Sequence, residues 1–149
     1  MEIQPDFRDL LELFNEHKVD YMIVGAYALA FYGAPRYTGD MDIYIKPDVK
    51  NAQLVKQVLV DFGFRSLGLQ ASDFSAPDQV IQLGVPPVRI DLITSLTGVS
   101  WDESFAGREK GWYGNVPVHY IGRKQFIQNK QAIGRNKDLA DLELLGEEP

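Results

Sequence analysis

Asp40-Met41-Asp42-Ile43-Tyr44-Ile45-Lys46 alternates without a break. The pattern predicts a strand with Met41, Ile43 and Ile45 on one face and Asp40, Asp42 and Tyr44 on the other. Two carboxylates on one strand face converge on one small region, and they repel unless water, a cation or a basic group lies between them. Oxygen donors of this kind suit hard cations, and Mg²⁺ typically takes one or two carboxylates together with substrate phosphates. An Asp-x-Asp pair alone is common and ordinarily marks a solvated strand end. The flanking sequence decides what this one means.

Upstream, Tyr21 to Val24 is a short apolar run that reads as a buried strand. Gly25 then allows a tight turn into a small helix, Ala26 to Tyr32, ended by Gly33 and Pro35. Backbone N–H groups at such a helix start can hold phosphate. Neither the G-x-G-x-x-G spacing of a dinucleotide site nor the G-x-x-x-x-G-K-[ST] of a P-loop is present. Downstream, Pro47 ends the strand and Asp48 can cap a helix whose stripe is Leu54, Val55, Val58, Leu59 and Phe62. Val80 to Val85 and Val88 to Thr94 flank Pro86-Pro87 and read as an antiparallel pair. The second run carries Asp91 among apolar neighbours, where an acid costs desolvation unless it has a partner; Arg36 and Arg89 are both available. If this strand lies beside the first, Asp91 completes a three-carboxylate cluster.

The remaining elements frame this centre. Phe7, Leu10, Leu11 and Phe14 recur at helical spacing between Pro5 and His17 and predict an amphipathic helix. Val116 to Ile121 is a weaker strand, and the tail holds two helices, Lys124 to Ile133 and Lys137 to Leu145. The order predicts an α+β fold, a mixed β-sheet flanked by helices, with residues 1–149 forming one domain. Tyr44 lies on the carboxylate face, where packing outweighs base stacking as its expected role. Trp101, Trp112 and Tyr113 are expected in the core or at a partner surface.

Composition narrows the chemistry. The 149 residues hold 21 acidic and 15 basic side chains, a net charge of −6, with 45% hydrophobic and 24% charged, the balance of a folded domain. The absence of cysteine excludes disulfides, Cys-ligated zinc, iron–sulfur clusters and thiol nucleophiles. His17 and His119, the two histidines, are far apart in sequence, which disfavours a His-rich metal site. The longest apolar run, Met22 to Pro35, is too short to span a bilayer, and no charged-then-apolar leader opens the chain. A cytoplasmic protein without membrane contact is expected. The acidity argues against coating nucleic acid through bulk positive charge. It is uneven, however: Gly122 to Lys137 contains five basic side chains and no acid, and five acids follow between Asp138 and Pro149.

Taken together, these blocks resemble the nucleotidyltransferase fold typified by DNA polymerase beta. Its pattern is a hydrophobic residue, Gly, then Gly or Ser; then Asp-h-(Asp/Glu)-h; then h-(Asp/Glu)-h. Here it reads Val24-Gly25-Ala26, thirteen residues, Asp40-Met41-Asp42-Ile43, and later Ile90-Asp91-Leu92. Arg36-Tyr37-Thr38-Gly39-Asp40-Met41-Asp42 is similar to the R-x-T-x-D-x-D signature of small prokaryotic AbiEii-type nucleotidyltransferases. Lys130 with Arg135-Asn136-Lys137-Asp138 and Asp141 is similar to their K…R-x-K-D-x-x-D ending. The resemblance implies a minimal nucleotidyltransferase fold with two C-terminal helices. It also implies transfer of a nucleoside monophosphate from a nucleoside triphosphate to a hydroxyl on an RNA end, a protein or a small molecule. Asp40 and Asp42 would bridge two Mg²⁺ ions, with Mn²⁺ as a substitute, and Asp91 would complete the ion nearer the attacking hydroxyl. Gly25 and Ala26 would hold the triphosphate tail; Lys130 and Arg135 would clamp phosphate, with Arg36 and Thr38 contributing from the signature loop. A toxin–antitoxin role, with an antitoxin as protein partner, is a further implication. Ala26 stands where the family has Gly or Ser, so a phosphate-contacting hydroxyl is missing. That departure keeps open a second reading, a catalytically degenerate module that binds a nucleotide or a protein.

Overall fold

A computed structural model describes residues 3–34, 39–64, 68–85 and 88–147. The elements run α1 (Pro5–Glu16), β1 (Tyr21–Val24), α2 (Gly25–Phe31), β2 (Asp40–Ile45), α3 (Val49–Phe62), α4 (Ala71–Ser75), β3 (Val80–Val85) and β4 (Val88–Ile93). They continue with α5 (Trp101–Ala106), β5 (Glu109–Tyr113), β6 (Val116–Tyr120), α6 (Arg123–Ile133) and α7 (Asn136–Leu144). Six strands form one mixed sheet in the order β3-β4-β2-β1-β6-β5. β2 pairs antiparallel with β1 and parallel with β4, while β1 pairs parallel with β6. The β3–β4 and β5–β6 pairs are antiparallel. This is the expected α+β architecture, with two helices closing the chain.

The central strands are the ones with the cleanest sequence patterns. Met41, Ile43 and Ile45 of β2 are fully buried. Across the core, α1 contributes Phe7, Leu10, Leu11 and Phe14, and α3 contributes Ala52, Val55, Val58 and Leu59, all buried. Leu54 and Phe62 of the expected α3 stripe lie at its margin, partly buried. Asp48 caps α3 by accepting from the Asn51 backbone N–H at 2.7 Å. The Asn51 side chain is buried yet satisfied: it accepts from the Asp20 N–H and donates to the Asp20 and Lys46 carbonyls. That clasp ties the start of α3 to the entry of β1 and the exit of β2.

Three elements go beyond the sequence expectation. α4 and α5 are short, and β5 is an edge strand, Glu109-Lys110-Gly111-Trp112-Tyr113, with charge and glycine where alternation would be sought. α5 nevertheless has a legible start, because Ser100 and Glu103 form a capping box. Trp101 and Tyr113 are buried, whereas Trp112 is 66% exposed. Tyr44 packs edge-on against Trp101 with ring centroids 4.8 Å apart, and that contact gives it a packing role. No helix among the described residues is long and apolar enough to cross a membrane.

Candidate active site

The sheet register builds the site. Val24 of β1 lies opposite Asp42 of β2, and Asp42 lies opposite Asp91 of β4; Asp40 lies opposite Arg89. Residues paired across neighbouring strands share a face, so Asp40, Asp42, Arg89 and Asp91 form one charged patch on an otherwise apolar sheet. Val24 leads directly into Gly25, the first residue of α2, whose φ is +66°. A side chain is excluded there twice over: the left-handed backbone favours glycine, and an added Cβ would collide with Asp42 Oδ2. Gly25 thus lets the start of α2 lie directly against the Asp42 carboxylate. Ala26 is buried beside it.

A cavity of about 260 Å³ opens over this patch. Gly25, Ala26, Asp40 and Asp42 form one wall, and Asn129, Lys130, Arg135 and Lys137 the other, with Ile93, Ile121 and Phe126 among the apolar residues between them. The structure therefore brings together the glycine turn, two of the acids and the basic tail. Asp91 sits beside Asp42 but outside that lining. Both of its oxygens are taken by Arg89, which donates from Nε to Oδ1 and from Nη2 to Oδ2, each at 3.0 Å. Arg89 Nε also lies 3.8 Å from Asp40 Oδ2. Arg36 and Thr38 fall outside the described residues.

The electrostatics follow from this crowding. Burial, and then the charges of Asp91 and Asp40, push the Asp42 carboxyl up to about 6, against the pull of Lys130 and Lys137. On the opposite wall the charges are tied by α7. Lys130 is buried and donates to Asp138 Oδ1 at 3.3 Å, with Asp141 Oδ2 at 3.9 Å. Arg135, whose side chain is 57% exposed, also binds Asp138, through Nε at 2.7 Å. Burial opposes the charge of Asp138, but Arg135 and Lys130 overcome it and hold the carboxyl below its ordinary range. Arg123 pairs with Glu147 at 2.9 Å. Arg123, Lys130 and Arg135 of the basic run are thus each paired with an acid that follows it in sequence. Lys137 lines the cavity with no ion pair among the described residues. Sequence reasoning named Asp138 within the tail motif without giving it a role, and named Arg89 only as a partner for Asp91; an acid three residues after Arg135, at capping-box spacing, was the available signal for the first.

The donor set can be tested for a divalent ion. Among the described residues, no three acids or histidines stand placed to ring a metal, in keeping with Arg89 holding both oxygens of Asp91. Asp40 and Asp42 remain on the cavity wall. One or two carboxylates plus substrate phosphates is what Mg²⁺ requires, and a cation beside Asp42 would relieve the crowding that raises its carboxyl. The residues fit an ion that arrives with a phosphate ligand better than a preformed protein cage.

No protein-family model matches the chain, and neither does any curated protein. Solved structures do. A proposed nucleotidyltransferase from Thermotoga maritima superposes with a TM-score of 0.65 at 15% identity, over 95% of this chain and 93% of that one. This chain has the nucleotidyltransferase fold. The antibiotic-resistance factor ANT(2'')-Ia aligns at 0.61 and 12% identity, over 94% and 80% of the two chains. The lincosamide antibiotic adenylyltransferase LnuA, solved with lincomycin bound, aligns at 0.56 and 14% identity, over 98% of both.

Proposed function

We propose that the protein transfers a nucleoside monophosphate from a nucleoside triphosphate to a hydroxyl acceptor in the cavity above β2. One observation carries the reading: Asp40, Asp42 and the Gly25 turn line a single cavity together with Lys130 and Lys137. A bound divalent ion would supply neutralisation of phosphate charge and activation of the attacking oxygen. Asp40 and Asp42 would hold it, with Mg²⁺ the expected ion and Mn²⁺ a substitute. Lys130, held in place by Asp138 and Asp141, would supply a positioned N–H donor to the phosphates. Lys137 adds a positive charge that no acid among the described residues pairs with, and Arg135 keeps Asp138 ionised while lining the cavity. Gly25 and Ala26 bring backbone close to the triphosphate tail.

The acceptor is proposed as a small hydroxyl-bearing molecule, in preference to an RNA end or a protein. LnuA matches this chain over 98% of both lengths, so a chain of this extent suffices for an adenylyltransferase. The Arg36 to Asp42 block supports kinship with AbiEii-type enzymes, and with it a toxin–antitoxin setting in the cytoplasm. A second reading, a non-catalytic binding module, is favoured by the Arg89–Asp91 pair and by Ala26. Incubation with α-labelled triphosphates, Mg²⁺ and a mixed acceptor panel separates the two. Catalysis predicts label transfer that Asp42→Ala abolishes; triphosphate binding with no transfer to any acceptor supports the module.

A further inference from the structure

The two-metal arrangement that the resemblance implies requires Asp91 as a ligand, and Asp91 is occupied by a cation that the chain itself provides. We infer that Arg89 stands in for one of the two metal ions, so that the site takes up a single divalent ion, with its nucleotide, at Asp40 and Asp42. The inference rests on the nucleotide-binding reading above.

Three observations converge on it. Arg89 makes a two-pronged contact with Asp91, at 3.0 Å on each oxygen, and reaches toward Asp40 at 3.8 Å. A guanidinium fork matches a carboxylate in this geometry and stays charged throughout the working pH range. Second, the cavity wall includes Asp40 and Asp42 but neither Asp91 nor Arg89. An ion entering with its nucleotide therefore meets the β2 pair, while Asp91 lies behind its arginine. Third, Arg89 already places a positive charge against Asp91 and within 3.8 Å of Asp40, so a further divalent ion on Asp91 would meet like charge. Expelling Arg89 to admit another ion would also leave it without its buried partner, since Asp91 is only 8% exposed. The neighbour of Asp91 on its other side, Gln82 of β3, brings no charge.

Electron paramagnetic resonance with Mn²⁺ tests this without relying on turnover. Protein and a non-hydrolysable nucleoside triphosphate are mixed in equal amounts, each of the four common bases in turn, and titrated with Mn²⁺. The expected result is one Mn²⁺ per complex with an uncoupled spectrum. Arg89→Met removes the charge but keeps the stem, and it should admit a second ion. Two ions about 4 Å apart would show spin coupling. Arg89→Lys, which keeps a positive charge, should stay at one. Two coupled ions in the unmodified protein overturn the inference, whether or not the variants fold, and leave the transferase reading standing. A single ion in a folded Arg89→Met protein also overturns it. No nucleotide-dependent Mn²⁺ with any base defeats the proposed function itself, and the inference with it.

Discussion

Replacing Asp42 by asparagine should stabilise the metal-free protein while removing its activity. Asp42 is crowded by burial and by Asp91 and Asp40, so its carboxyl titrates at about 6 in the fold instead of 3.8. Between those values the folded state binds more protons than the unfolded one, and stability falls as pH rises through the window. One pH unit is worth about 1.4 kcal/mol, so ionised Asp42 costs the fold about 3 kcal/mol above pH 7. At pH 5 the cost is about half of that. Asparagine has nearly the same shape and no charge. After allowance for an imperfectly bonded amide, a gain of about 1–3 kcal/mol at pH 7.5 is expected, or a rise in melting temperature of about 3–10 °C. The assay is urea unfolding of both proteins in EDTA at pH 7.5 and pH 5.0. The advantage of Asp42→Asn should shrink by about 1 kcal/mol or more at the lower pH. A variant destabilised at pH 7.5, or one whose difference does not change with pH, would refute it.

Gly25→Ala should destabilise the protein by about 1–3 kcal/mol in urea unfolding, because it forces a side chain into left-handed backbone and against Asp42. Lys130→Ala should cost about 1–3 kcal/mol by the same measurement, since Asp138 keeps Arg135 but both it and Asp141 lose the buried amine; it should also weaken triphosphate binding in calorimetric titration. Lys137→Ala should separate these effects. It leaves unfolding unchanged but weakens Mg²⁺-dependent triphosphate binding about tenfold, the equivalent of about 1.4 kcal/mol.

What the sequence revealed follows from where each signal originates. β2 was legible because a buried face, Met41, Ile43 and Ile45, alternates with the less buried Asp40 and Asp42, β4 because an apolar run surrounds Asp91, and α1 and α3 because one apolar stripe faces the core. β5 was not, since in an edge strand with Glu109, Lys110 and Trp112 exposed only Tyr113 is buried, too little to print an alternation on its sequence. Asp40 and Asp42 share a face by local geometry alone, so their pairing needed no tertiary knowledge. The engagement of Asp91 by Arg89 was only one option in sequence, because the choice depends on rotamers that neighbouring strands decide. A basic run such as Arg123 to Lys137 ordinarily forms a solvated helix face. Lys130 is buried instead, because the acids that neutralise it arrive from α7, one helix further along the chain.

The central claim is that a triphosphate binds, with a divalent ion, between the Gly25–Asp42 wall and the Lys130–Lys137 wall. Amide chemical shifts measured by NMR, as Mg²⁺ and a non-hydrolysable nucleoside triphosphate are added together, test it most directly. The account predicts shifts concentrated at Gly25 and Ala26, Asp40 to Asp42 and Asn129 to Lys137, lost when Mg²⁺ is withheld or Asp42 is replaced. Shifts confined to the cleft lined by Trp112 and His119 on the far hairpin, with the β2 residues unmoved, would contradict it.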